Sequence, residues 1–286
     1  MPTAFTRKHF SVPPGHHIHW NGAYAFLVLN LGTIYGLLIS KPTARALGLG
    51  LALFWIRTFA LTAGYHRYFS HRAYRTSRGF QAILAVLGCA TFQQGPLWWA
   101  AHHRHHHRYT DVPEDVHSPR QHGFLWSHIT WVFSYANEPT RVSLIKDFAK
   151  YPELVWLDEH HRWPAFALAA LSYAFAGFSG LTWGFLLSTM VLFQTTFMVN
   201  SLTHQFGTRR YATKDDSRNN WWVALLTFGE GWHNNHHRYP GSARQGFFWW
   251  ELDVSYLVLC ALQRVGVVWD LQLPPARLLV AEREAA

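Results

Sequence analysis

The chain has 286 residues, 25 of them Lys or Arg and 16 Asp or Glu, for a net charge of +9. Only 14% is charged while 49% is hydrophobic and 17% aromatic, which excludes a disordered chain and departs from soluble domains, where about a quarter of residues are charged. The basic residues are spread along the chain, so no nucleic-acid patch is supported, and Cys89 and Cys260 stand alone, which rules out a disulfide scaffold or a CxxC motif.

No Asp, Glu, Lys or Arg lies between Lys8 and Lys41, and residues 23–40 are long enough for a membrane-spanning helix at about 1.5 Å per residue. No small-residue cleavage site of the A-x-A kind follows, so the segment predicts an anchor and not a signal peptide. A second apolar run, 47–64, contains Arg57, a charge that must snorkel or face the bundle interior. Residues 80–92 are apolar but only about a dozen long, the length of an interfacial helix. The longest uncharged stretch lies between Arg162 and Arg209, and within it 165–200 divides into spans 165–179 and 182–200 about Gly177-Phe178-Ser179-Gly180.

Four spans in two hairpins put both termini and residues 65–163 on one side of the membrane. That side carries 22 of the 25 Lys and Arg, and the positive-inside bias makes it cytoplasmic. Attraction to the anionic inner leaflet accounts for the excess charge. The expectation is an all-α protein of the cell inner membrane, one unit over 1–286. Four transmembrane helices carry a helical cytoplasmic cap, 65–163 and 201–286, that holds a di-metal site.

The 20 histidines cluster just outside the spans. His66 and His71 follow the second span; His103, His106 and His107 follow the interfacial segment; His204 ends the fourth span; His233, His236 and His237 form the last group. Two groups share the spacing H-x-x-H-H, which on a helix puts all three imidazoles within reach of one metal site. Neutral imidazole is a good ligand for iron, zinc and copper, and the set exceeds what one ion can hold, so two metals are expected. His9, His16, His17, His19, His122, His128, His160 and His161 read as interfacial or structural, His102 and His105 as pointing elsewhere, and His117 as adjoining the ligands. There is no H-E-x-x-H, and the E-x-x-H pairs Glu114–His117 and Glu230–His233 are flanked by Pro or Gly, so neither is a good mid-helix site. A b-type haem would place paired histidines inside the spans.

The boxes HRYFSH, HRHHH and GEGWHNNHH, with Phe92-Gln93, Trp99 and the run Val199-Asn200-Ser201-Leu202-Thr203-His204, resemble the integral-membrane fatty acyl desaturases of the stearoyl-CoA (delta-9) type, bacterial-like, over residues 20 to 272. The resemblance implies a mushroom of four transmembrane helices with two iron ions in the cap. Position by position, it makes His66, His71, His103, His106, His107, His204, His233, His236 and His237 the ligands. It puts Asn200 near an iron through water, and Gln93, Trp99 and Thr196 along the bend of an acyl tunnel. It implies O2 as co-substrate and a saturated long acyl chain as substrate. Attack on an unactivated CH2 needs an oxidant that side chains cannot supply, and a dry tunnel keeps that oxidant from water.

Related membrane enzymes with similar boxes hydroxylate, decarboxylate or make triple bonds; GEGWHNNHH and VNSxxH favour desaturation. A His-rich metal transporter is the non-enzyme alternative, and it would need ligands along the spans, where only Asn30, Gln194 and hydroxyls are found. No cytochrome b5 segment, Fe–S cysteine set or G-x-G-x-x-G is present, so electrons are expected from a separate ferredoxin, rubredoxin or cytochrome b5 with its reductase. The resemblance also marks a departure. Where the animal acyl-CoA enzymes carry an Arg-Lys pair, this chain has Ala136 and Asn137 followed by Glu138, which leaves the carrier open between CoA, acyl carrier protein and membrane lipid, with Arg104, Arg108 and Arg141 as candidate substitutes for the pair.

Overall fold

The structure, a computed structural model, describes residues 12, 13 and 15–280, and His9 lies outside them. Three helical runs are long and apolar enough to cross a membrane: Trp20–Ile39, Ala44–Ser70 and Trp163–His204. The first, α1 (Trp20–Ile39), is capped by the His19 ring, whose Nδ1 accepts from Gly22 N at 2.9 Å. Of its residues only Thr33 and Gly36 are buried, while Val28 is 67% and Leu38 81% exposed. So much bare apolar surface is stable against lipid tails and not against water.

The turn 40–43 leads into α2 (Ala44–Phe59), started by Thr43, whose side chain accepts from Ala46 N. It continues without a break as a π-helical segment, Ala60–Ser70, in which every residue is buried. Arg57 faces the bundle interior. It is fully buried and donates to Thr189 Oγ1 at 2.7 Å, Ser188 Oγ at 2.6 Å and the Leu53 and Ala90 carbonyls, with its guanidinium 5.1 Å from the Phe185 ring centroid. Dipoles and a π-face from other helices thus replace the water that a buried cation loses.

The apolar segment after α2 forms α3 (Arg78–Cys89), one face buried through Gln81, Leu84 and Ala85 and the other exposing Ile83 and Val86. Next comes α4 (Pro96–Tyr109), with Pro at its first turn. Its free N–H groups at Leu97 and Trp98 are taken at 2.9 and 2.8 Å by Oδ1 of Asp158, which lies in α5 (Pro152–Glu159). This remote cap fixes the helix that carries the second histidine box.

The run from Trp163 is 42 residues long, about twice what one crossing needs. It comprises α6 (Trp163–Ser179), a π-helical stretch Gly180–Leu186, and α7 (Leu187–Ser201). The backbone leaves helical geometry at Ala176 and at Gly177, whose φ of 60° and ψ of −153° suit glycine alone. The stretch after the break packs tightly on α2, and a Cβ on Gly50 would stand 2.7 Å from the Trp183 carbonyl. Short helices α8 (Trp221–Leu226) and α9 (His233–Arg238), then α10 (Val254–Arg264), complete the described chain around the site. Strand β1 (Arg75–Thr76) pairs antiparallel with β2 (Val268–Trp269) and ties the C-terminal part to the end of the π segment.

Candidate metal centre

The first box is legible only through its backbone. On an α-helix, residues five apart point about 140° away from each other. In the π-helical segment the His71 N–H donates to the His66 carbonyl at 3.2 Å, an i to i+5 bond that stacks the two residues. Both rings therefore face the same point.

The two H-x-x-H-H boxes do not each make one site, as their spacing suggested; both straddle two. His103 and His107 of α4, four apart, join His66, His71 and His236, and the five ligand nitrogens lie within 4.8 Å of one another. His106, one step round α4, joins His204 with His233 and His237, four apart on α9. The side-by-side residues of each box thus serve neighbouring centres.

In the first cluster the Nε2 atoms form a continuous run: His71 to His103 at 2.8 Å, His103 to His107 at 3.0 Å, His107 to His236 at 2.9 Å and His236 to His66 at 3.1 Å. In the second, His233 Nε2 is 3.0 Å from Nε2 of both His204 and His237. An imidazole Nε2 bears a proton or a lone pair, never both, so such a run cannot be satisfied as donors and acceptors in series. Lone pairs aimed at a common point need a cation there. Cis ligands of an octahedral ion with bonds of about 2.1 Å stand about 3.0 Å apart, and the observed spacings match.

The far nitrogens carry the second half of the arrangement. His106 Nδ1 lies 3.0 Å from Asp115 Oδ2, His204 Nδ1 2.9 Å from Asp111 Oδ2, and His237 Nδ1 3.1 Å from Asp215 Oδ2. His66 Nδ1 contacts Glu230, which also accepts from Arg67 Nη2 at 3.0 Å. A carboxylate on Nδ1 holds the proton there and turns the Nε2 lone pair toward the metal. Four buried or half-buried carboxylates behind the ligands need positive charge, which two divalent ions would supply.

Burial, reinforced by neighbouring imidazoles, pushes His71, His103, His107, His233 and His236 well below the usual histidine value. Burial likewise takes His237 down to about 4, against the pull of Asp215. These rings are neutral at pH 7, the form that ligates. His106 goes the other way: burial acts to lower it, but Asp115, together with Asp111 and Asp215, raises it. Burial acts to raise Asp111, Asp115 and Asp215, but their imidazole partners hold them well below the carboxylate range.

Two adjoining cavities reach this centre. One is lined by Thr58, Leu61 and Leu192 together with the ligand histidines His66, His103, His106, His204 and His233. The second, of about 2010 Å³ including its open mouth, runs past Phe26, Phe193 and Phe197. They share Trp99, His103, His117, Thr196 and Asn200 as walls, so the ligand His103 stands where the two adjoin. Gln93 lines the larger cavity and donates from Nε2 to Thr196 Oγ1 at 3.1 Å. Trp99 lies 5.1 Å from the His103 ring, stacked on it.

Other histidines sit as spacing suggested. His102 Nδ1 is 2.9 Å from the Trp98 carbonyl and His105 Nε2 2.9 Å from that of Glu114, while His160 and His161 bond backbone oxygens of their own turns. His117 stacks on His106 at 4.3 Å, against the Asp115 side of that ring. The carboxylates Asp111, Asp115 and Asp215 were missed by sequence reasoning. For the first two the signal was there: in a chain with 16 acids, Asp111, Glu114 and Asp115 all fall within eight residues of the second box. Glu230, weighed as half of an E-x-x-H pair with His233, instead serves His66.

Residues 40–253 match the sequence profile of the fatty acid desaturase family. The chain is similar to an sn-1 stearoyl-lipid 9-desaturase of Anabaena variabilis, 36% identical over 90% of this chain and 94% of that protein. It is also similar to an acyl-CoA 5-desaturase of Anemone leveillei, 35% identical over 89% and 81% of the two chains. A hex-5-enoyl-acyl-carrier-protein acetylenase of Moorena producens is 35% identical over 84% of this chain and 80% of its own.

Proposed function

The chain belongs to the fatty acid desaturase family, and on that premise we propose that nine of its 20 histidines hold two iron ions beside a bent acyl tunnel. It is an oxidoreductase that introduces a double bond into a fatty acyl chain, in a family that is di-iron and O2-dependent. His66, His71, His103, His107 and His236 hold one ion; His106, His204, His233 and His237 hold the other, with Asn200 reaching it through water. The observation that carries this reading is the pair of lone-pair clusters that line the inner cavity, with His103 of the first also on the wall which that cavity shares with the larger one.

When bound, the iron pair supplies the O2-derived oxidising power that no side chain provides. The chain's own residues do the rest. Asp111, Asp115, Asp215 and Glu230 keep a proton on Nδ1 of their histidines and so fix each ring's orientation. Trp99 and the Gln93–Thr196 hydrogen bond hold the acyl chain at its bend, so that one C–C bond faces the metals. The phenylalanines of the larger cavity keep water out. A saturated long-chain acyl group, desaturated in mid-chain, is the substrate.

The break at Gly177 supports four crossings in two hairpins, with 65–163 and 201–286 forming a cap and the whole chain one domain. The charge bias supports a cytoplasmic cap on the inner membrane. Electrons come from a separate ferredoxin, rubredoxin or cytochrome b5 with its reductase. Purified enzyme given NADPH alone is therefore expected to be inert.

The deciding experiment measures metal content of the detergent-purified protein and, with a donor system and O2, locates the new bond in a labelled acyl chain by mass spectrometry. Two irons and a mid-chain alkene are expected; one zinc and no iron, or an alcohol as product, would overturn the reading. The acetylenase relative gives a second reading, a triple bond from an alkene, which the same product mass distinguishes.

A further inference from the structure

The larger cavity has a mouth whose position along the chain is informative. His19 and Arg162, which line it, are the residues immediately before two membrane-crossing runs, Trp20–Ile39 and Trp163–His204. That end of the cavity therefore lies at the level where those helices enter the bilayer. Below it the cavity wall includes Val28 of α1 and Phe166 of α6, which are 67% and 61% exposed. At about 1.5 Å per residue, Val28 stands about 12 Å along α1 from Trp20, well within the hydrocarbon.

The packing of α1 accounts for such an opening. At its start, His19 N donates to the Phe133 carbonyl, and at its end Ser40 Oγ lies 2.8 Å from Thr182 Oγ1 and accepts from Trp183 Nε1 at 3.0 Å. Its buried residues, Thr33 and Gly36, belong to the far half. The near half is cavity wall on one side and bare apolar surface on the other.

The charges at the mouth narrow the occupant. Among the described residues that line the cavity, Arg162 is the one guanidinium and Glu138 the one carboxylate. A cavity lined by one guanidinium and one carboxylate does not suit a polyanionic nucleotide carrier or the acidic face of a carrier protein. The upper cavity also offers the Trp131 indole N–H, 7% exposed and without an acceptor among the described residues. Such a buried donor is costly until something accepts from it, and an ester carbonyl would.

From this geometry we infer that the acyl chain enters sideways from the bilayer, between α1 and α6, while still esterified to a membrane glycerolipid. The inference rests on the desaturase reading and names the carrier for it. The headgroup stays at the interface beside Arg162, the ester carbonyl accepts from Trp131 Nε1, and the tail passes Val28 and Phe166 to the metal centre.

The test needs no turnover. Full-length protein in phosphatidylcholine nanodiscs is exposed to a mid-chain diazirine carried either on phosphatidylcholine or on CoA, irradiated, and its adducts mapped by mass spectrometry. The lipid-borne probe is expected to label residues 25–29 and 166, and the Trp99–Thr196 junction, at least about tenfold more than the CoA-borne probe. The double variant Val28→Trp/Phe166→Trp, at two exposed positions, should lower junction labelling from the lipid about tenfold while metal content stays unchanged. Labelling of the junction by the CoA probe alone, or undiminished lipid labelling in the double variant, would overturn the lateral route. If the lipid labels the cavity but no double bond ever forms, the route stands and the desaturase reading falls.

Discussion

Asp111 and His204 are 93 positions apart, yet Asp111 Oδ2 lies 2.9 Å from Nδ1 of the His204 ring. The same oxygen accepts from the Asp216 N–H at 2.8 Å, and Asp111 Oδ1 accepts from Ser118 Oγ at 2.6 Å. One carboxylate thus joins the end of α4, the end of α7 and the loop before α8 behind a single ligand. The shape of the metal centre is set as much from behind as by the nitrogens that face it.

Replacing Asp111 by Asn keeps the shape and removes the charge. Loss of such an outer partner costs about 10–100-fold in metal affinity, and the loss should fall on the site built from His106, His204, His233 and His237. Dialysis of Asp111→Asn against graded chelator should strip one ion well before the other. Two ions leaving together, as in the parent protein, would reduce Asp111 to a packing role.

Acidification should destabilise the metal-free protein. Burial holds His71, His103, His107, His233 and His236 below their unfolded value and puts His237 at about 4. Below about pH 6.5 the unfolded chain therefore binds more protons than the folded one, and stability falls with pH through that window. His106, raised by Asp115 against its burial, offsets a single histidine. The depressed carboxylates Asp111, Asp115 and Asp215 extend the loss below about pH 4. Thermal unfolding of chelator-treated protein should show a midpoint that drops from about pH 7 to 5; a flat or rising midpoint would contradict the buried neutral cluster.

Arg67 is fully buried and donates to Glu230 Oε1 at 3.0 Å from Nη2 and to Asp253 Oδ1 at 2.9 Å from Nη1. Arg67→Met would leave two buried carboxylates with one cation fewer, a loss of about 3–5 kcal/mol. The expected result is poor recovery from the membrane, restored in part when Asp253→Asn is added. Recovery equal to the parent protein would mean that the carboxylates find another partner.

Thr196→Val removes the acceptor of the Gln93 amide at the bend of the cavity while keeping the side-chain volume. A buried amide left unpaired costs about 1–3 kcal/mol, enough to let the acyl chain shift register. The product should spread over neighbouring double-bond positions, read by mass spectrometry, with turnover reduced and not abolished. A single unchanged position would show that other walls of the tunnel set the register.

Much of this was open to a reader of the sequence, because the solvent of each segment leaves its mark on composition. Apolar runs of about 20 residues, poor in charge, have one stable environment, and they appear as helices at 20–39 and 44–70 and as the broken run 163–204. The histidine boxes were equally plain, since nine imidazoles in fixed spacings serve few other ends. What the spacing did not contain was the assignment of each ring to its centre. H-x-x-H-H reads as one helical face, but 103 and 107 point to one cluster and 106 to the other, because a step of one residue on a helix turns the side chain by about 100°. His66 and His71 converge only because the backbone there is π-helical. The partners Asp111, Asp115, Asp215 and Glu230, and the opening beside Val28 and Phe166, depend on contacts between segments far apart in the chain. Periodicity and composition record what each segment faces; which groups meet across the fold is decided by packing.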